Sequence, residues 1–171
     1  MIFKSFELEK INLNQIKIIL LYGKNDGLKK FVINKLSSKN KNNYFYDEKE
    51  ILENEANFFE KTLNKSLFET DKIIIINRST NKIVNIVDQI VTKKLEDILI
   101  IINSENLEKK SKLRSIFEKS RNLACIPFYP DNDQTLNKLG FDFIKENKIL
   151  LSPSNLNFII SKCGGDRQNL I

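Results

Sequence analysis

Five short apolar runs, separated by stretches with helical spacing, limit the possible folds of this chain more than any other feature. The runs are "KIILLYG" ending at Gly23, "YFYD" at 44–47, Lys72–Asn77, "DILIIIN" ending at Asn103 and "LACIPF" ending at Phe128. Strands buried on both faces lose the polar alternation of half-exposed ones, so the runs predict a parallel sheet. Parallel neighbours need crossover connections, and the intervening segments supply them. "GLKKFVINKLSS" sets Leu28, Phe31, Val32 and Leu36 on one helical face. The segment 48–63 reads as one helix with a stripe at Leu52, Ala56, Phe59 and Leu63. Residues 82–95 place Ile83, Val87, Ile90 and Val91 together, and "LEKKSKLRSIFEKS" has a narrow edge at Leu113, Ile116 and Phe117. The expected class is α/β, a five-stranded parallel sheet with flanking helices.

The pattern changes after Phe128. "IPFYPDND" carries two of the three prolines and no further strand run follows, which puts a boundary near 129/130. Residues 1–129 form the α/β domain in this reading, and 130–171 begin a small helical domain. That second part contains a helix over "DQTLNKLGFDFIKEN", weakened by Gly140. It then has Ser152 as N-cap with Pro153 at the first helical position. Leu156, Ile159, Ile160 and Cys163 give the stripe of the next helix, and Gly164-Gly165 end it. Asp166 caps a further turn that stops at Ile171, so the sequence predicts a frayed end and a chain that is part of a longer protein.

Composition narrows the chemistry. No His occurs among the 171 residues, which excludes Ser-His and Cys-His mechanisms and His-based zinc sites. Cys125 and Cys163 lack metal-ligand spacing and read as buried thiols of a reducing compartment, with cytoplasm expected. No apolar run approaches the roughly 18–20 residues of a membrane span. The net charge of +6 is mostly Lys. It suits an anionic partner such as nucleic acid, although a Lys-, Ile- and Asn-rich composition also arises from AT-rich coding.

The turn after the first strand is where a phosphate-binding loop would lie. Such a loop needs G-x-x-x-x-G-K-[ST], with backbone N–H groups around the phosphates, a Lys on them and a hydroxyl on Mg²⁺. The segment here is "GKNDGLKK". Gly23 and Gly27 are one residue too close, Leu28 follows the second glycine, and neither Lys29 nor Lys30 precedes a hydroxyl residue. Asp26 would repel a triphosphate. The fourth strand ends in Asn103 and Ser104 where an ATPase carries acids. A helix-capping turn without nucleotide or other cofactor is expected.

The ordered segments "IILLYGKNDGLKK", "KSLFETDKIIIIN", "NLEKKSKLRSIFEKS", "ACIPFYPDND" and "LSPSNLNFIISKCGGDRQNL" resemble the delta subunit of the bacterial DNA polymerase III clamp loader, over essentially the whole chain. The resemblance implies an AAA+-like, P-loop-type module without a working nucleotide site, a non-catalytic subunit that binds and opens the sliding clamp (beta subunit) during DNA replication. It also implies a C-terminal collar domain, absent from this sequence, that joins the other clamp-loader subunits, and primed DNA as an indirect partner. It assigns clamp binding to Ser66, Leu67 and Phe68, with the Leu-Phe pair entering a pocket on the clamp. A competing reading extends the preceding helix by a turn, which makes Leu67 core four residues after Leu63. Lys109, Lys110, Lys112 and Arg114 form a basic helix edge that would face DNA or solvent. Two other functions stay open: a basic nucleic-acid-binding α/β domain, and an ATPase with an irregular phosphate loop.

Overall fold

The computed structural model describes residues 1–38, 42–63, 72–93 and 97–170. Strands β1 (Ile18–Gly23), β2 (Asn43–Asp47), β3 (Lys72–Asn77), β4 (Ile98–Asn103) and β5 (Ala124–Phe128) make one parallel sheet in the order β2-β3-β4-β1-β5. β1 lies inside the sheet between β4 and β5, with Ile19 opposite Ile101 on one side and Ala124 on the other. All six of its residues are buried, as its unbroken apolar run requires. β2 is an edge strand. It is only half-buried, with Phe45 exposed.

Alternate residues of the strands feed two cores. Ile18, Leu20, Tyr22, Ile74, Ile76, Ile100 and Ile102 pack under helices α2 (Glu48–Glu53), α3 (Glu55–Leu63), α4 (Val84–Thr92) and α5 (Lys112–Lys119). Ile19, Leu21, Ile73, Ile75 and Ile101 face Val32 and Ile33 of α1 (Asp26–Ser37), together with Ile11 and Ile16. Fully burying each such side chain stabilises the fold by about 1.5–3 kcal/mol, so the sheet is held chiefly by these two layers. Met1 adds to its β5 edge: Ile2 bridges to Cys125, and the terminal ammonium donates to the carbonyls of Ser120 and Leu123 at 2.6 and 2.7 Å.

The expected helix over 48–63 is two helices. Asn54 ends α2 with a non-helical backbone, and its side-chain oxygen then accepts from Asn57 N at 3.1 Å to start α3. The break rotates the buried face to Ile51 and Phe58, leaving Leu52 and Phe59 half-buried and Ala56 exposed. Phe58 meets Tyr46 edge-on at 5.3 Å. Phe31, Val91 and Ile159, placed on inner faces by spacing alone, are exposed.

Helices α6 (Asp133–Glu146) and α7 (Pro153–Lys162) form a separate core of Leu136, Leu156 and Ile160, joined by Ile144, Leu151 and Leu170. Gly140 is the point of closest approach: a Cβ there would lie 2.7 Å from Leu156 Cδ1. The glycine that weakens helical propensity is the residue that lets the two helices meet. Ser152 caps α7 by accepting from Asn155 N, with Pro153 in the first turn. The residues Arg167–Asn169 form a short turn capped by Asp166. Asp166 accepts from Gln168 N at 2.8 Å, and Leu170 is half-buried in this core, while Ile171 lies outside the described residues.

Candidate functional site

The turn after β1 is shaped by neighbours from three distant parts of the chain. Gly23 has φ +129°, and a Cβ on it would sit 2.1 Å from the Phe128 carbonyl oxygen. Its glycine identity is therefore set by the approach of β5. Asn25 is almost fully buried and caps α1 by accepting from Leu28 N at 3.0 Å. Its amide nitrogen donates to Tyr129 O at 3.0 Å and to Asp131 Oδ2 at 2.9 Å. Above Gly27 lies Arg167, whose Cγ would be 2.7 Å from an added Cβ.

Lys29 points into the molecule. Its side chain is 3% exposed, and Nζ donates to Ser104 O at 2.7 Å and meets Asp26 Oδ1 at 2.8 Å. The ammonium that would serve an anion at this turn is thus spent on the carbonyl at the end of β4. Lysine is seldom fully buried unless paired, and here both a carboxylate and a carbonyl hold it.

The strand ends beside it are joined by neutral groups. Asn103 Nδ2 donates to Asn77 Oδ1 at 3.0 Å, Ser104 Oγ donates to Ser79 O at 2.7 Å, and Ser111 Oγ donates to Asn81 Oδ1 at 2.7 Å. Among the described residues, no group of three or more His, Cys, Asp or Glu is arranged to hold a metal ion. None of their helices is long and apolar enough to cross a membrane.

The basic edge divides in two. Lys109, Lys110 and Lys112 are exposed, with Lys110 3.0 Å from Glu108. Arg114 is not available in the same way. Its Nε donates to Glu118 at 2.7 Å, Nη1 donates to Leu107 O at 3.2 Å, and the guanidinium stacks over the Tyr22 ring. The Glu118 hydrogen bond raises its pKa further. These contacts fasten α5 to β1, so any DNA-facing role falls to the three lysines. Next to Tyr22, burial pushes the Cys125 thiol up to about 12. Cys163 is also free and buried. Neither thiol should react with Ellman's reagent at pH 8 until denaturant is added. Prompt native release of the chromophore by either would contradict this packing.

Ser66, Leu67 and Phe68 lie outside the described residues, between α3 and β3. Asn25, Asp131 and the inward Lys29 were not singled out by sequence as partners. The only signals available were the "PDND" and "GGDR" turns, whose meeting across 36 residues is a tertiary event.

Compared with solved structures, the chain is similar to the Bacillus subtilis DNA clamp loader delta protein (YqeN). The TM-score is 0.63 at 12% identity, covering 97% of this chain and 54% of that one. The two folds are alike over nearly all of this chain. The Walker-type ATPase paby2304 of Pyrococcus abyssi is also similar, with TM-score 0.52 at 11% identity over 92% of this chain and 61% of the other. The chain spans only a little over half the length of these two structures, and at such identities the likeness concerns the fold. No family model and no curated protein matches the sequence. Within this α/β fold, the turn after β1 is the element at which the residues above depart from a phosphate-binding loop.

Proposed function

We propose that the chain is the clamp-contacting part of a delta-type clamp-loader subunit, which binds and opens a sliding clamp during DNA replication without hydrolysing ATP. The observation that carries this reading is the combination of a delta-type fold with a phosphate-loop position filled by the chain's own Lys29 and Arg167. An ATPase would need an ammonium free to reach phosphate, a hydroxyl on Mg²⁺ and acids at the end of β4. Lys29, Leu28 and Asn103 stand against each of these. In this reading Ser66, Leu67 and Phe68 engage the clamp, and residues 130–171 begin a lid-type helical domain. Other loader subunits would be met through a collar domain, in the cytoplasm. Lys109, Lys110 and Lys112 would approach primed DNA by phosphate contact alone.

Size-exclusion mixing with the cognate sliding clamp tests the proposal. A discrete complex is expected, together with no calorimetric heat from ATP and Mg²⁺. Saturable ATP binding at micromolar concentration would favour an ATPase. Salt-sensitive DNA binding without any clamp complex would favour a nucleic-acid-binding domain.

A further inference from the structure

Among the described residues, the helical segment and the α/β body share no buried apolar core. Leu136, Leu156 and Ile160 form a cluster distinct from the two layers on the sheet. Where α1 faces the helical segment there is a cavity of about 300 Å³, lined by Gly27, Phe31, Leu139, Arg167 and Gln168. Apolar packing therefore leaves the orientation of the two parts underdetermined. What does join them is polar and well enclosed.

Arg167 grips Asp131 with two hydrogen bonds, Nε to Oδ2 at 2.7 Å and Nη2 to Oδ1 at 2.5 Å. The two side chains are only 16% and 5% exposed. Asp131 Oδ2 also accepts from Asn25, the N-cap of α1. A two-pronged guanidinium–carboxylate pair fixes direction as well as distance. Burial alone would raise the Asp131 pKa, but the hydrogen bonds from Arg167 and Asn25 outweigh it and hold the carboxyl below its ordinary value. The N-cap of a helix in a turn after β1 is a place suited to an anion. In this chain the anion there is a carboxylate of the protein itself, already neutralised by Arg167.

We propose that Asn25, Asp131 and Arg167 form a nucleotide-independent latch that sets the orientation of the helical segment 133–170 on the α/β body. The latch needs Gly27, because a Cβ at that position would meet Arg167 Cγ at 2.7 Å and Gln168 Cγ at 2.9 Å. It does not depend on clamp binding, so parent-like distances in the variants would overturn the latch alone, whereas a parent distance that shifts with nucleotide would count against the functional reading as well.

Spin labels on Lys49→Cys and Lys138→Cys, both exposed, report the distance between the two parts, while buried Cys125 and Cys163 stay unlabelled. Double electron–electron resonance on the parent should give one narrow distance, unchanged by ATP and Mg²⁺. Arg167→Ala and Gly27→Ala should each lose that single distance for a broad distribution, with far-UV circular dichroism unchanged. Gly27→Ala is the sharper variant, since it keeps every charged group and favours α1 locally. Lys145→Ala, on the exposed side of α6, should behave as the parent. Parent-like distributions in both variants would overturn the latch, as would a parent distance that shifts with nucleotide. Loss of the helical signal in Gly27→Ala would overturn it too, because a contact confined to the interface cannot hold the secondary structure of both parts.

Discussion

Replacing Leu67 and Phe68 together by Ala should abolish the complex with the sliding clamp while leaving the melting temperature at the parent value. The expectation follows from the functional reading, in which both side chains are exposed anchors of an interface and contribute little to the core. Central apolar anchors cost about 2–4 kcal/mol each on truncation, roughly thirty- to nine-hundred-fold in affinity, and the two effects need not add. If Leu67 instead continued the face of α3 as core, emptying these positions would cost about 2–5 kcal/mol of stability each. Thermal melting and clamp pull-down on one double variant thus read the two roles separately. A variant that melts like the parent and still retains the clamp would remove both residues from the interface.

The sheet was legible because its strands are written as continuous apolar runs, which few other structures tolerate. β1, β3 and β4 each carry several Ile or Leu in succession, and all three run through the buried middle of the sheet. Helix faces were less legible. In α3 the adjacent Phe58 and Phe59 satisfy different stripes, and only the break at Asn54 decides that Phe58 is the buried one. Phe31 illustrates the same limit: its spacing fits the inner face of α1, yet Val32 and Ile33 take the core and Phe31 lines the cavity beside Arg167.

The site was harder to read for a reason rooted in chemistry. The sequence tells that a phosphate loop is misspelt, since spacing, hydroxyl and acid are all local properties. It does not tell what occupies the place. A Lys at a helical position normally reads as solvated, and the inward turn of Lys29 becomes intelligible only once Ser104 O is known to lie 2.7 Å from its Nζ. Likewise Asp131 and Arg167 are ordinary surface residue types until the helical segment folds back on α1. Long-range polar pairing leaves no periodic trace, whereas hydrophobic burial does.

Gly23 gives the sharpest contrast between a glycine kept for a ligand and one kept for the fold. In a phosphate loop its substitution would lower nucleotide affinity and spare stability. Here φ is +129° and a Cβ would fall 2.1 Å from the Phe128 carbonyl oxygen, 2.8 Å from its carbon and 2.9 Å from its nitrogen. These are backbone atoms of the paired strand, so no side-chain rotation can relieve the overlap. Gly23→Ala must therefore adopt a rarely populated backbone conformation, at about 1–3 kcal/mol, and also push β5 from β1, at about 1–3 kcal/mol of overpacking. Because the unfolding free energy of a domain is only about 5–15 kcal/mol, this is a large fraction of the total. For a chain of this length each kcal/mol lowers the melting temperature by about 2–4 °C, so a fall on the order of 10 °C is expected. The Gly23 N–H donates to Glu105 O at 3.1 Å, and Ser104 O holds Lys29, so displacement there would also loosen the filled phosphate-loop position. A melting temperature within about 2 °C of the parent, less than the effect of one kcal/mol, would mean that β5 does not close on β1 at this residue.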